Sequence, residues 1–256
     1  MAGGERVLLI DVGNTSTSLA LAVGTRIGRR SEFPTGETSG GVIREALRRY
    51  GGRGGAIDGA CLSSVVPRVN EKWRAAVRRA CGRGPVDVHA ALRLGVGIDY
   101  PQPHQIGADR LANASGASLL FGCPVVVADF GTALTFDVVS SAGDYIGGVI
   151  APGPPFMTDY LAEKTALLPR VTAGRVRHRV GRSTVEAMRI GARIGCWGLV
   201  REILAHLRSE LGADTPCCAT GGYAGRALAG FDMPVEIVPD LTFRGLLRIY
   251  ELNHEP

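Results

Sequence analysis

Two segments of this chain repeat one pattern, and the repeat limits the folds open to it. Val7-Leu8-Leu9-Ile10-Asp11-Val12-Gly13-Asn14-Thr15 is echoed by Val125-Val126-Val127-Ala128-Asp129-Phe130-Gly131-Thr132-Ala133, 118 residues later in a chain of 256. Each is an apolar run that closes on Asp-x-Gly, followed by a small amide or hydroxyl residue and a second strand-like stretch. A buried strand ending in an acid and a glycine-permitted turn can present backbone N–H groups and a carboxylate to a phosphate–metal unit. A single copy is equally well an ordinary β-turn with an Asx cap. Two copies, one per half, predict two similar lobes that each carry such a turn.

The order of elements repeats as well. Val7–Ile10, Leu19–Val23 and Arg29–Phe33 read as three strands joined by short turns. Then come a helix over Gly40–Tyr50, a strand over Ile57–Val66 stopped by Pro67, a helix over Val69–Cys81, a short strand at Val86–His89 and a helix over Gly107–Phe121. The second half begins again with strands at Val125–Asp129, Leu134–Val139 and Tyr145–Ile150. Helices follow at Met157–Ala166 and Ser183–Leu211, then a strand at Cys217–Ala219, a helical turn at Tyr223–Leu228, a strand at Val235–Val238 and a closing helix over Leu241–Leu252. This internal repeat supports a bilobal α/β chain, and the boundary is expected near residue 115.

Composition narrows the class. Apolar residues make up 45% of the chain and glycines number 36, which suits an α/β protein with many tight turns. The apolar run behind Met1–Arg6 ends at Asp11, too short for a signal peptide. The longest apolar stretch, Ala117–Ala128, is broken by Gly122 and Pro124. A cytoplasmic protein without a membrane span is the expectation. The six cysteines form no Cys-x-x-Cys and have no His at zinc spacing, so buried thiols are expected. The net charge of +5 rests almost wholly on arginine, with two lysines, Lys72 and Lys164, among 29 basic residues. Most are scattered along helices, and nucleic acid is not an expected partner. One cluster, Arg175, Arg177, His178, Arg179 and Arg182, reads as a solvated loop or a local anion site.

Several further segments could carry chemistry. Asp129, Thr135 and Asp137 fall on one face of the second repeat, where buried polar groups call for an ion or ligand, or where that face meets water. Gly107-Ala108-Asp109-Arg110 opens a helix. Asp109 either accepts a proton from a reacting hydroxyl while Arg110 holds an anion, or simply complements the helix dipole. Gly147-Gly148-Val149-Ile150-Ala151-Pro152-Gly153 marks a close backbone approach or a plain turn. Ser183-Thr184-Val185-Glu186 is a capping box whose free N–H groups also suit a carboxylate. Along that helix an apolar stripe is expected at Ile190, Ile194, Trp197, Leu204 and Leu207. Gly191, Gly195 and Gly198 form a smooth face for a second subunit or for internal packing. Thr220-Gly221-Gly222 follows a strand where a two-lobed ATPase would hold adenosine.

Taken together these motifs resemble type III pantothenate kinase, a bacterial family related to the Bvg accessory factor proteins. The likeness runs over Asp11–Thr15, Ser64-Val65-Val66-Pro67, Tyr100–Arg110, Asp129–Asp137, Gly147–Gly153, Gly181–Gly195, Thr220–Gly222, and Pro239-Asp240-Leu241 with Gly245-Leu246. Its most specific stretch is Tyr100-x-x-Pro103-x-x-Ile106-Gly107-x-Asp109-Arg110. The resemblance implies duplicated ribonuclease H-like domains of the actin-like ATPase and sugar-kinase type, 1–115 and 116–256, facing a nucleotide cleft. It implies ATP-dependent phosphorylation of pantothenate to 4'-phosphopantothenate, the first step of coenzyme A biosynthesis. By the same resemblance Asp109 is the catalytic base, and Tyr100, Gly107, Ala108, Asp109, Arg110 and Thr184 hold pantothenate. Asp11, Val12, Gly13, Asn14, Thr15, Ser16, Thr17, Ser18 and Thr132 bind ATP, with Asp11 near Mg²⁺ through water. Asp129 ligates a monovalent cation, K⁺ or NH₄⁺, and the protein is a homodimer. Many members carry Lys where this chain has Ser18; other members lack it too, and the difference weakens an ATP-phosphate contact. Two other readings stand beside this one: a kinase for a different small alcohol, and a non-catalytic ATP-binding regulator.

Overall fold

The computed structural model describes residues 4–51, 55–172, 174, 176 and 178–254. In chain order the elements are β1 (Arg6–Val12), β2 (Ser16–Val23), β3 (Arg26–Ile27), β4 (Ser31–Pro34), α1 (Gly40–Gly51), β5 (Gly59–Ser64), α2 (Pro67–Cys81), β6 (Val86–Asp87), β7 (Gly97–Ile98) and α3 (Ala108–Phe121). They continue with β8 (Val125–Phe130), β9 (Ala133–Val139), β10 (Asp144–Pro152), α4 (Phe156–Lys164), α5 (Thr184–Leu211), β11 (Cys217–Thr220), α6 (Ala224–Ala227), β12 (Glu236–Ile237) and α7 (Leu241–Asn253). The short strands β3 and β7 have no sequence signal of their own. Pro67 both stops β5 and opens α2 at its first position, where a missing N–H costs nothing.

One sheet has the order β3-β2-β1-β5-β6, with β4 also on β2; the other runs β12-β11-β8-β9-β10, with β7 beyond. Numbered within its own repeat, each follows the order 3-2-1-4-5. In each, the first two strands are antiparallel and the first pairs in parallel with the fourth. This is the duplicated ribonuclease H-like topology, so the repeat of sequence is a repeat of fold.

The chain divides into two compact units. The first comprises Met1–Gly122, Gly143–Ile146 and Asp240–Pro256; the second comprises Cys123–Ala142 and Gly147–Pro239. The closing helix α7 thus packs with the first unit, against α3, because its apolar face completes the core under β1. That strand is buried on both sides, as a central strand with helices on both faces must be. Leu8, Ile10 and Val12 pack with Ile43, Val69 and Trp73 of α1 and α2, while Val7 and Leu9 pack with Leu111, Ala112, Phe243 and Leu246 of α3 and α7. The α3–α7 contact is backbone on backbone. A Cβ at Gly245 would fall on the Ala112 carbonyl oxygen, and one at Gly116 would crowd the Leu241 carbonyl. Arg248 of α7 fastens the pair by donating to the Ser115 carbonyl and the Ser118 hydroxyl, at 2.8 and 2.9 Å.

In the second unit α5 buries Met188, Cys196, Val200 and Leu204; of the expected stripe Ile190, Ile194, Trp197, Leu204 and Leu207, Leu204 is buried, and the first half of the helix is rotated. Ile194 is exposed. Apolar residues surround the first half of this helix, so periodicity alone cannot choose its inner face. Four of the six cysteines are buried, Cys81 is half-buried and Cys123 exposed, and all are free. Burial pushes the Cys217 thiol up to about 12, which leaves it protonated and inert. Among the described residues, no helix is long and apolar enough to cross a membrane.

Candidate functional site

In the first unit the Asp-x-Gly segment forms the β1–β2 hairpin. Gly13 donates its N–H to the Ser16 carbonyl at 3.0 Å, closing the turn. Asp11 is half-buried at the strand end, Asn14 and Thr15 are exposed at the tip, and Val12, Thr17 and Ser18 point into the structure. Sequence reading missed a residue that fixes this tip. Thr35, fully buried, donates its hydroxyl to the Gly13 carbonyl at 2.7 Å and meets the Thr17 hydroxyl at 2.9 Å. Its backbone N–H reaches the Thr15 carbonyl at 2.9 Å. Only the pairing of β4 on β2 brings Thr35 here, so no local pattern announces it. Thr35→Val should loosen the tip and raise the KM for ATP about ten-fold, the equivalent of one buried hydrogen bond, with kcat less affected. An unchanged KM in steady-state assays would count against the clamp.

The Tyr100–Arg110 segment also lies in the first unit. Gly107 is the residue before α3, and a Cβ there would crowd the Asp109 carboxylate. The glycine therefore leaves room for that carboxylate to fold back over the helix start, where Asp109 Oδ1 accepts the Arg110 N–H at 2.8 Å. Burial raises the Asp109 pKa above the ordinary carboxylate value, and the Arg110 N–H and guanidinium only partly offset it. Ala108 is buried in the core, which anchors the first turn of α3. Arg110 lies over the Tyr145 ring, 5.9 Å from its centroid. Tyr100 meets the same ring edge-on at 6.1 Å. The structure thus gathers Tyr100, Arg110 and Tyr145, and Arg110 is the chain neighbour of Asp109. Tyr145 was legible in sequence only as the start of a strand.

In the second unit the β8–β9 hairpin repeats the first, with Gly131 donating to the Ala133 carbonyl at 3.0 Å. Asp129 is opposite Thr135 on β9 and opposite Thr220 on β11, and Asp137 is opposite Val127. Asp129, Thr135 and Asp137 accordingly share a face, with Asp137 fully buried. The two glycine-rich segments are explained by this turn. Gly153 donates to the Thr132 carbonyl at 3.2 Å, and a Cβ there would strike the Gly131 and Thr132 carbonyls. Gly221, at φ +92°, has no room for a side chain between the Asp129 carboxylate and the Phe130 carbonyl. Tyr223 then donates to that same Phe130 carbonyl at 3.1 Å. Thr132 is exposed at the tip. A cavity of about 530 Å³ opens beside these residues, lined by Pro155, Arg189, Arg193, Tyr223 and Arg226 among others.

Ser183 caps α5 by accepting the Glu186 N–H at 3.2 Å, and Thr184 is the exposed first helical residue. The reciprocal half of the capping box is shifted: Glu186 accepts from the Arg182 N–H at 3.0 Å and meets His178 Nδ1 at 2.8 Å. In the basic cluster, Arg175 and Arg177 lie outside the described residues.

Comparison with known proteins agrees with this geometry. The type III pantothenate kinase family profile matches residues 7–206. A type III pantothenate kinase from Akkermansia muciniphila is 47% identical over 247 residues, spanning 96% of this chain and 98% of that protein. One from Acidiphilium cryptum is 38% identical, spanning 97% and 96%. Among solved structures, a Campylobacter jejuni protein described as a Baf family transcriptional activator superposes with a TM-score of 0.62 at 19% identity, covering 96% of this chain and 98% of that one. MreB 5 of Spiroplasma citri bound to AMPPNP gives 0.53 at 12%, covering 96% of each. Those two likenesses establish the actin-like ATPase fold, and the sequence relatives establish the family. This chain belongs to the type III pantothenate kinase family.

Proposed function

We propose that this chain transfers the terminal phosphoryl group of ATP to the primary hydroxyl of pantothenate, with Asp109 as the base. The observation that carries the reading is the start of α3. A half-buried carboxylate with a raised pKa stands there on a fixed helix, next to Arg110, whose guanidinium packs on the Tyr145 ring that Tyr100 also meets. A carboxylate of raised pKa accepts a proton more readily than an ordinary one. As the hydroxyl oxygen attacks the γ-phosphorus, its proton passes to Asp109 and ADP departs. Arg110, Tyr100, Gly107, Ala108 and Thr184 form the pantothenate site, and the exposed N–H groups at Thr184 suit its carboxylate. The turns at Asp11–Ser18 and Thr132 take the ATP phosphates. The cavity beside Thr220–Gly222 takes the nucleoside.

A divalent cation carried with ATP supplies charge neutralisation at the phosphates. Asp11, through water, is the residue that would hold it. Asp129, with the Thr135 and Thr220 hydroxyl residues opposite it, offers oxygen ligands of the kind K⁺ or NH₄⁺ takes.

A homodimer and a cytoplasmic location belong to the same proposal. Support for the dimer comes from α4 and α5. A Cβ at Gly191 or Gly198 would meet nothing, and one at Gly195 would reach only the Met157 sulfur. Ile194 nearby is exposed, as are Phe156 and Tyr160, which stack on each other at 5.0 Å. Sedimentation of the purified chain at twice the monomer mass is the expected result, and a monomer at micromolar concentration would refute it.

The test of the function is a coupled ADP-release assay with Mg–ATP, K⁺ and pantothenate, omitting each in turn. Turnover should require pantothenate. It should fall at least several-fold when Na⁺ replaces K⁺ and NH₄⁺; equal rates in Na⁺ would remove Asp129 as a cation ligand. ATP binding without pantothenate-dependent turnover would point instead to another acceptor or to a regulator.

A further inference from the structure

The last residue of β5 but one, Ser63, has a hydroxyl that is sealed from solvent and has no hydrogen-bond partner among the described residues. Buried hydroxyls are nearly always paired, and an orphan in a ligand-free structure points to a partner that arrives with a ligand. Its position identifies that partner. Ser63 is in parallel register with Asp11 on β1, and Asp11 is in antiparallel register with Ser18 on β2. Register partners project to the same face, and adjacent strands lie about 4.8 Å apart. Asp11 is therefore flanked on the same face of the sheet by two buried hydroxyl residues, Ser63 and Ser18. The second unit repeats the row as Thr220–Asp129–Thr135. This is the face that α3 covers, since Cys61 and Leu9 one step back pack on Leu111 and Ala112.

We infer that Ser63 is a positioning residue that orients the Asp11 carboxylate toward the hydrated divalent cation of Mg–ATP. The inference rests on the kinase reading above. In the ligand-free chain the hydroxyl and the carboxylate are not hydrogen-bonded. With Mg–ATP present, one carboxylate oxygen faces the cation's water and the other accepts the Ser63 proton. The chain carries Ser18 on the other flank, and a serine there supplies a second short donor of the same kind.

The test compares ATP binding to the full-length wild type and to Ser63→Ala, by calorimetry with Mg²⁺ and again in EDTA, with Mn²⁺ binding followed by electron paramagnetic resonance. Loss of one hydrogen bond to a charged group should weaken Mg–ATP binding about ten-fold and weaken Mn²⁺ binding in parallel. ATP binding in EDTA should be unchanged. The ligand-free melting temperature should hold or rise, because the substitution removes an orphaned hydroxyl. Equal Mg–ATP affinity in the two proteins overturns the inference. So does an equal loss with and without metal, or a loss that tracks a lowered ligand-free melting temperature, since either marks a packing role. A wild type that binds no Mg–ATP overturns the kinase reading and this inference with it.

Discussion

Asp109→Asn should cut kcat by roughly 10²–10⁴-fold, the range for loss of a general base, while Mg–ATP binding and the fold persist. Asn is nearly isosteric and keeps the oxygen that accepts the Arg110 N–H. It removes only the charge and the proton-accepting capacity. The effect on stability has a definite sign. A carboxyl whose folded pKa is raised stabilises the fold below the unfolded carboxylate pKa, and that contribution is lost as pH rises through the folded value. Once ionised, Asp109 is thus a burden on the fold, and its neutral replacement should not lower the melting temperature. The same raised pKa shapes the activity profile. Asp109 works only when ionised, so kcat/KM should fall on the acid side at a pH above the ordinary carboxylate range, burial being the cause. An Asp109→Asn enzyme with near wild-type turnover would remove Asp109 as the base.

Gly245→Ala should be the most destabilising single methyl group in the first unit. The added carbon would fall on the Ala112 carbonyl oxygen, and the obstacle is backbone, so no side-chain rotation relieves it. Overpacking of this kind costs about 1–3 kcal/mol and more when the obstacle is rigid. For a chain of this size that is a melting temperature lower by roughly 5–10 °C. Ala112 sits one turn into α3 from Asp109, so pushing the helices apart also shifts the base. Thermal unfolding and kcat measured together should both fall. A variant as stable and as active as the wild type would show that the α3–α7 contact is looser than the structure has it.

Much of this was legible beforehand because it is local or repeated. The Asp-x-Gly turns, the Ser183 cap on α5 and the Gly107–Arg110 helix start each depend on residues a few positions apart, and the structure forms all three. What periodicity could not settle was which way a helix faces when apolar residues ring it. Hence α5 buries Leu204 as expected but also Met188, Cys196 and Val200, while Ile194 of the expected stripe is exposed. The purpose of the glycine runs was also hidden. Gly153 and Gly221 are glycine because the turn at Asp129–Thr132 fills the space a side chain would need, and that turn is some twenty or ninety residues away along the chain.

By itself the sequence determined the duplicated α/β fold and the family, because hydrophobic period, turn chemistry and a specific motif are all written in neighbouring positions. Only the tertiary structure decided that α7 returns to the first unit, that Thr35 clamps the first turn, that Tyr145 joins Tyr100 and Arg110, and that Ser63 is buried without a partner beside Asp11. Those four depend on which strands pair and in what register. Register is set by the packing of the whole core, and no local run of residues encodes it.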